Sequence, residues 1–336
     1  MQDGGMSEGT FTLAESVELA VVERSGFVES RHAGSAVLLD SDGRVARTLG
    51  TPSAPVFPRS CLKPFQALAV MTAGVELNGA EAVIATASHA GIPQHVALVQ
   101  NLLFRAGLDH TALQCPADWP GDSTARSQLL RAGGTTDPLY MNCSGKHAAM
   151  LLACVQNGWS TDDYLERSHP LQQHIVDTIE RLTGERIVAS GVDGCGAPVH
   201  AMPLTALAKG ISRIVSSSPA SPFGLYRQAG LLTTAVLENA WAIDGPGRDN
   251  TVVIERLGLV AKLGAEGVLV MASPDGTTVA LKILDGSLRA ATVVALKLLV
   301  EAGTVDRTAA NEVLVRLNPV VSGGGRPVGA VRASYV

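Results

Sequence analysis

The sequence is poor in aromatic side chains, which make up 4% of its 336 residues, whereas glycine is plentiful at 35 residues. Close backbone approaches are therefore more expected than an aromatic recognition surface. No apolar run nears the roughly 18 residues that a membrane-spanning helix needs. There is also no long basic or acidic run, and the net charge is -5. These absences argue against nucleic acid or a membrane as the main partner and favour a small molecule.

Cysteine is also scarce, and its odd count of five argues against a framework of disulfides. A metal-binding or packing role is expected instead for some or all of Cys61, Cys115, Cys143, Cys154 and Cys195. The N-terminal residues MQDGGMSEGT are polar, where a signal peptide would be basic and then apolar. The sequence thus predicts a cytoplasmic protein.

The remaining composition, 46% hydrophobic, suffices for a large core. Residues 1–14 are polar and glycine-bearing, which predicts a disordered start, and residues 15–336 are expected to form a single domain. Alternating patterns around the turn at 40–43 predict a hairpin of strands. Strand patterns near both termini enclose a helical middle of about 60–245. This order predicts an α+β fold in which the terminal strands share one antiparallel sheet.

Several segments have weaker patterns. Residues 82–92 read as a strand or another buried segment, and residues 251–262 read as a strand rich in β-branched side chains. The span 115–139 is rich in proline, glycine and aspartate, which predicts an irregular connection or a lid. Glycines 323–325 predict a tail after the last helix.

A serine stands three residues before a lysine in the segment FPRSCLKPF, at the start of an apolar helix. Ser60 and Lys63 then lie one helical turn apart on the same face, and a lysine there can accept the serine proton if burial lowers its pKa. A serine and a lysine at this spacing are the smallest catalytic set that a Ser-Lys acyl transferase needs. The plainer interpretation is a helix start with Ser60 as its cap and Lys63 in solvent.

Two later segments carry similar residues. Ser88 follows the apolar run in SHAG, where polar side chains often form sites, although an ordinary turn serine fits equally well. Lys262 stands at a strand end before the small residues of AKLGAEGV. It can line a cleft opposite a helix-borne serine, or it can be solvated.

Cys143 and Cys195 both lie in loops that contain glycine, NCSGKH and DGCG, with Lys146 one turn after Cys143. A soft-metal site, a redox pair and two inert thiols are all compatible with this pattern. His147 and His200 flank the two cysteines and are expected to be structural.

Taken together, RSCLKP, SHAG, NCSGKHAAML, VDGCGAP and GAEGV occur in the order found in one family. The sequence resembles the asparaginase II family, the rhizobial-type L-asparaginases, from about residue 18 to 317. The resemblance implies the fold of serine β-lactamases and bacterial glutaminases, with a helical region beside an antiparallel sheet. It also implies hydrolysis of L-asparagine to L-aspartate and ammonia. Its motifs place the catalytic residues at Ser60, Lys63, Ser88 and Lys262.

The same resemblance implies a zinc ion held by Cys143, Lys146 and Cys195, with water as the fourth ligand. The lysine ligand must be neutral, which the metal itself promotes. We expect such a closed metal to shape the substrate pocket rather than to act as the hydrolytic Lewis acid. A homodimer is the expected assembly.

Three charged residues are the candidates for substrate recognition. Arg59 precedes the nucleophile and can hold a substrate carboxylate bidentately. The family often has acidic residues where this chain has Ile92 and Gln94. Asp193 and Glu266 are therefore the alternative partners expected for the substrate ammonium.

Three other functions are also compatible with the sequence. A glutaminase would use the same machinery, and so would a penicillin-recognising acyl hydrolase, although the latter usually carries a K-[ST]-G motif where Lys262 is followed by LGAEG. A non-enzymatic protein that binds an amino acid or a metal is the third alternative.

Overall fold

The computed structural model describes residues 9–317 and 320–336. Of the segment predicted to be disordered, residues 1–8 lie outside the described residues. In the remainder, Phe11 is only 2% exposed and Leu13–Glu15 form a 3₁₀ helix. Ordered structure therefore begins before the boundary that composition predicted, because one apolar side chain in this polar segment is buried in the core.

The strands lie mainly towards the two ends of the chain. They are β1 (Val17–Arg24), β2 (Phe27–Leu39), β3 (Val45–Leu49), β4 (Pro55–Val56), β5 (Ala189–Val192), β6 (Pro198–Pro203), β7 (Val260–Gly264), β8 (Val268–Ala272), β9 (Thr278–Ile283), β10 (Val321–Gly323) and β11 (Arg326–Ala333).

The main sheet, within the described ranges, has eight strands in the order β10-β11-β1-β2-β9-β8-β7, with β3 paired to β2. Neighbouring strands are antiparallel, and β1 pairs directly with β11, Val22 opposite Val331. The two ends of the chain thus share one sheet, which confirms the predicted α+β class. The hairpin predicted around residues 40–43 is also present as β2 and β3. A smaller sheet, β4-β6-β5, lies apart from it.

Helices fill most of the interval between the strands. They are α1 (Lys63–Thr72), α2 (Ala80–Thr86), α3 (Pro93–Arg105), α4 (Ser123–Arg131), α5 (Ser144–Gln156), α6 (Pro170–Thr183), α7 (Leu204–Val215), α8 (Gly224–Glu238), α9 (Asp249–Leu257), α10 (Ala291–Glu301) and α11 (Arg307–Leu317). Every residue of β8 and β9 is buried, so both faces of the sheet are covered there, and α7 and α10 each contact both strands. Helix α1 contacts α2, α5, α6 and α8, which places it inside the helical region.

For residues 82–92 the alternative of a buried segment holds and the strand does not, and the strand predicted at 251–262 is wrong in its first part. The run at 82–92 contains helix α2, whose residues from Ala82 to Thr86 are all buried. A helix buried on every side lacks the amphipathic period that distinguishes it from a strand. Residues 251–262 contain most of α9 and then the start of β7, because packing of α9 against α11 and β7 overrides the β-branched composition. Gly258, at φ 63°, ends this helix.

Two segments predicted to be irregular contain regular structure. Helix α4 lies within 115–139, and the Asp122 side chain accepts a hydrogen bond from Ala125 N at 2.8 Å as its N-terminal cap. The glycines at 323–325 form the turn of the β10–β11 hairpin and not a tail. None of the helices in the described part of the chain is long and apolar enough to cross a membrane.

Candidate active site

The hydroxyl of Ser88 lies between two buried lysines. Lys63 Nζ donates a hydrogen bond to Ser88 Oγ at 3.0 Å, and Lys262 Nζ donates one at 2.8 Å. Both lysines are only 1% exposed. Three residues that are distant in the sequence thus form one hydrogen-bonded cluster, which we call the lysine–serine cluster.

The positions of these side chains follow from the elements that carry them. Ser88 comes two residues after α2, and its N–H donates to Ile243 O at 2.9 Å. Lys63 is the first residue of α1, and its Nζ also donates to Ala87 O. Lys262 lies in β7, where its Nζ donates to Leu263 O at 2.8 Å. The helical region and the main sheet therefore meet at Ser88.

Burial and the nearby Lys63 ammonium lower the pKa of Lys262 from its usual range to about 8. A substantial fraction of this amine is neutral at mildly alkaline pH and can accept a proton from the hydroxyl beside it. The cluster therefore has the chemistry of a proton relay.

Ser60 lies in a 3₁₀ turn, Arg59–Leu62, that leads directly into α1. Its side chain is partly exposed. No hydrogen bond of Ser60 Oγ is found within residues 9–317 and 320–336, and no side chain caps either helix start here. The predicted Ser60–Lys63 pair is therefore not a hydrogen bond in this structure, because Lys63 reaches Ala87 and Ser88 instead. The cap interpretation of Ser60 is not supported either.

The turn that carries Ser60 packs against β7. Cys61 Sγ donates to Lys262 O at 3.1 Å, so the neighbour of Ser60 contacts the strand of the second lysine. At Gly264 a Cβ atom would lie 2.5 Å from Pro58 O, which explains why glycine stands there in AKLGAEGV. The fold thus places the turn that carries Ser60 against the strand that carries Lys262.

The three predicted substrate-binding residues also meet. Arg59 Nε donates to Asp193 Oδ1 at 2.7 Å, and Arg59 Nη1 lies 3.9 Å from Glu266 Oε1. Arg59 and Glu266 have φ angles of 53° and 59°, in the left-handed region that non-glycine residues rarely adopt. Such strain is concentrated at functional sites.

The Asp193 carboxylate is stabilised as an anion. Burial acts to raise its pKa, but the hydrogen bond from Gly194 N and the charges of Lys146 and Arg59 outweigh burial and lower it.

The two positions where the family often has acidic residues lie at the start of α3. Ile92 is partly buried there and Gln94 is exposed. Their effect on substrate binding stays a prediction.

Cys143, Lys146 and Cys195 form a second buried cluster. Lys146 Nζ donates to Cys195 Sγ at 3.1 Å, and the three residues are at most 4% exposed. Cys143 immediately precedes α5, and Lys146 lies in its first turn. A Cβ at Gly145 would collide with Ile84 O, so the glycine of NCSGKH allows α5 to pack closely against α2.

The charges in this cysteine–lysine cluster are paired. A hydrogen bond from Cys195 lowers the pKa of the Cys143 thiol well below its usual range, and the Lys63 and Lys146 cations act in the same direction against burial. Burial acts to lower the pKa of Lys146, but the sulfurs of Cys195 and Cys143 outweigh it and raise the pKa. Lys63 therefore faces both clusters.

The side chains of the cysteine–lysine cluster fit a metal only in part. No group of three or more His, Cys, Asp or Glu side chains suited to a metal occurs in the described ranges. The predicted set consists instead of two cysteines and a lysine, and these converge with one sulfur already favoured as a thiolate. Two sulfurs and one amine suit zinc, provided that Lys146 gives up its proton.

The flanking histidines have structural contacts. His147 Nδ1 lies 2.7 Å from the Tyr164 hydroxyl, and His200 Nδ1 lies 2.9 Å from Ser190 Oγ.

A different histidine, His89, was not predicted from the sequence as part of the site. His89 is buried, and its Nε2 lies 2.9 Å from Ser144 Oγ, which joins the Ser88 loop to the start of α5. Its place beside Ser88 in SHAG was the available signal.

Asn250 was also missed. Its Oδ1 accepts from Leu263 N at 2.9 Å, and its Nδ2 donates to Asp244 Oδ2 at 3.2 Å. The Asp244 backbone oxygen in turn accepts from Ala90 N at 2.9 Å. Asn250 and Asp244 thus connect the segment of Ser88 to the strand of Lys262. No local signal marks Asn250, because it lies in a helix whose composition resembles a strand.

The family model for L-asparaginase II matches residues 20–333, and the chain therefore belongs to the L-asparaginase II family. Family membership makes the protein an amidohydrolase. No curated protein matches the chain.

Solved structures with a related fold include a β-lactamase from Mycobacterium bovis, which is 16% identical, with 84% of this chain and 94% of that chain covered and a TM-score of 0.42. Mglu in its native form is 13% identical, with 91% of this chain and 71% of that chain covered and a TM-score of 0.44.

Proposed function

We propose that this amidohydrolase converts L-asparagine to L-aspartate and ammonia through an acyl-enzyme on Ser60. Membership of the L-asparaginase II family supports the substrate class. The observation that supports the mechanism is the Ser88 hydroxyl held between Lys63 and Lys262, with Lys63 directly after the turn that bears Ser60.

Ser60 and Ser88 are both partly exposed, so exposure does not separate them, and it is the hydrogen bonds that favour Ser60 as the nucleophile. Ser60 is partly exposed beside Arg59, and within the described ranges its hydroxyl has no protein partner. The Ser88 hydroxyl is engaged by two lysines. A hydroxyl held on both sides is suited to passing protons, and a free one can approach the substrate carbon.

In the proposed reaction, Ser60 Oγ forms a bond to the side-chain amide carbon of asparagine. Lys63 accepts the Ser60 proton while its own proton moves through Ser88 Oγ to neutral Lys262. The Ser60 N–H, before α1, stabilises the developing oxyanion, a contribution of about 3 kcal/mol in comparable sites. The relay returns the proton to the leaving nitrogen, the carbon–nitrogen bond breaks and ammonia departs. Water then cleaves the ester and regenerates Ser60.

Arg59 would bind the α-carboxylate of the substrate. Its Nε is already used by Asp193, but a guanidinium has five N–H donors, so other donors remain. Asp193 and Glu266 would receive the substrate ammonium near the same arginine. This arrangement places both charges of a zwitterionic amino acid beside Ser60.

Cys143, Lys146 and Cys195 would hold a zinc ion in this proposal. A bound ion would supply a positive charge there, and the loop of Cys195 would then be fixed against the start of α5. Through Asp193, two residues before Cys195, that loop orients Arg59. The homodimer and the cytoplasmic location expected from the sequence stay predictions.

Ammonia release from the purified protein tests the proposal. We expect release from asparagine and no opening of a β-lactam ring, and the same assay with glutamine measures the preference between the two amides. Ser60→Ala should retain less than about one part in a hundred of kcat, with unchanged circular dichroism. If Ser60→Ala stays above that level and Ser88→Ala does not, the nucleophile is Ser88. Tight asparagine binding without ammonia release would indicate a binding protein and contradict the proposed function.

A further inference from the structure

An apolar groove opens beside the proposed substrate site. Its volume is about 670 Å³, and it lies between the small sheet and the turn that precedes α1. Arg59 and Glu266, the two strained residues of the site, line it together with Lys282. The groove is therefore continuous with the residues assigned above to the charged groups of asparagine.

The size of the groove exceeds the need of a free amino acid. Cavities of about 300–1,000 Å³ typically hold ligands of drug size. Its wall includes Val56, Phe57, Val188 and Pro203, and Phe57 is 40% exposed and Val188 53% exposed. Free asparagine has no apolar group to place against this wall.

The charges at the groove indicate how an occupant would be oriented. Lys282 is 8% exposed, and one of its three ammonium protons is used in the hydrogen bond from Nζ to Glu266 O at 2.7 Å. Arg59 lines the groove and is also the residue proposed to bind the α-carboxyl group of asparagine. The groove therefore begins where that carboxyl group would lie. An extension there is a second amino acid, whose terminal carboxylate complements Lys282.

We propose that the groove binds the second residue of a short peptide with asparagine at its N-terminus, and that this second residue is apolar. The inference rests on the proposed function. The side-chain amide of the first residue would be hydrolysed to a carboxylate with release of ammonia, and the peptide bond would stay intact. Arg59 would then contact the peptide carbonyl, Lys282 the terminal carboxylate, and Phe57 the apolar side chain.

The test compares kcat/KM for ammonia release from asparagine, Asn-Gly, Asn-Leu and Asn-Leu amide. We expect Asn-Leu to exceed Asn-Gly at least about tenfold, since one or a few methylene groups in an apolar pocket give discrimination of that size. The amide, which lacks the terminal carboxylate, should be poorer than Asn-Leu. Mass spectrometry should identify the product as Asp-Leu and detect no free leucine.

Two variants assign the effect to the groove. Phe57→Ala should lower the ratio of Asn-Leu to Asn-Gly about fivefold or more, whereas Phe104→Ala, which removes an 80% exposed phenylalanine on α3, should leave the ratio unchanged. Lys282→Met should abolish the difference between Asn-Leu and its amide.

Equal rates for Asn-Leu and Asn-Gly, or equal ratios in the two phenylalanine variants, would overturn this inference while asparagine turnover still supported the proposed function. No ammonia from any substrate would overturn both. A change of oligomeric state in Phe57→Ala, with an unchanged substrate ratio, would assign the groove to a second copy of the chain instead.

Discussion

Lys262 and Lys146 are the same residue type at almost the same burial, 1% and 3% exposed, yet their pKa values move in opposite directions. Burial acts on both to favour the neutral amine. Lys262 has the Lys63 ammonium as its neighbour, and its pKa falls to about 8. Lys146 has the sulfurs of Cys195 and Cys143, and its pKa rises.

The difference shows that the neighbours of a buried lysine decide its chemistry. A lysine beside another cation can be neutral and accept a proton. A lysine between sulfurs keeps its proton until something more positive, such as a metal ion, displaces it. The lysine–serine cluster is therefore suited to proton transfer, and the cysteine–lysine cluster to holding charge in place.

The largest expected effect comes from removing the proton acceptor. Lys262→Met should lower kcat on asparagine by about 10³-fold, within the range of a general base. Lys262→Arg keeps the positive charge but cannot become neutral, so it should be nearly as inactive, provided that circular dichroism shows a folded protein. Steady-state kinetics on both variants makes the measurement. Recovery of more than about a tenth of kcat in the arginine variant would mean that only the charge matters.

The pH dependence sharpens the same contrast. A lysine accepts protons only in its neutral form, so kcat/KM should rise with pH and be lost as pH falls through about 8. Between pH 6 and pH 9 the rise should be roughly a hundredfold, from the change in the neutral fraction. A flat profile from pH 6 to 10 would count against either lysine as the base.

Metal content tests the other cluster. Protein purified without chelator should contain about one zinc per chain. Cys143→Ala should lose it, while Cys154→Ala, which removes another buried thiol of α5, should retain it. Because Lys146 must give up its proton, zinc affinity should rise with pH. Elemental analysis and zinc titration at two pH values measure both effects.

Chelation should raise KM for asparagine about tenfold and change kcat less, because the metal is proposed to orient Arg59 through the Cys195 loop. Less than about a tenth of an equivalent of zinc, with kinetics unchanged after zinc is added back, would return the cysteines to inert thiols.

The smallest expected effect concerns the link between Ser88 and Lys262. Asn250→Ala removes the hydrogen-bond acceptor of Leu263 N. It should lower kcat about tenfold with little change in KM, because the Ser88 hydroxyl and the Lys262 amine are then less well aligned. Asn101→Ala, on the exposed side of α3, is the control and should keep wild-type kcat. A rise in KM at constant kcat would show that Asn250 acts on substrate binding instead.

Much of this arrangement could be predicted from the sequence, because the motifs are local. The serines, lysines and cysteines stand in short segments whose order is diagnostic of the family. The pairing of Lys63 with Ser88 was not predictable, since it depends on how the end of α2 approaches α1 and β7. From the sequence, Ser60 is the expected partner of Lys63 because it lies one helical turn away. In the folded protein the Lys63 amine contacts Ser88 instead.

The helical middle and the shared terminal sheet followed from periodicity, which is strong in long amphipathic segments such as α6 and α7. Helices α2 and α9 did not, because one is buried on all sides and the other is rich in β-branched residues. Asn250 lies at the start of α9, just before the segment misassigned as a strand, so its contribution was not visible either. Sites built from side chains on misassigned elements are thus the ones that sequence reasoning misses.

The most direct test of the central claim is the location of the acyl group. Asparagine is mixed with the enzyme, the reaction is quenched with acid within the first turnover, and the digested protein is mapped by mass spectrometry. The account predicts one added aspartyl group on the peptide that contains Ser60 and an unmodified peptide around Ser88. An aspartyl ester on Ser88 would contradict it. Turnover of asparagine by the Ser60→Ala protein would also contradict it.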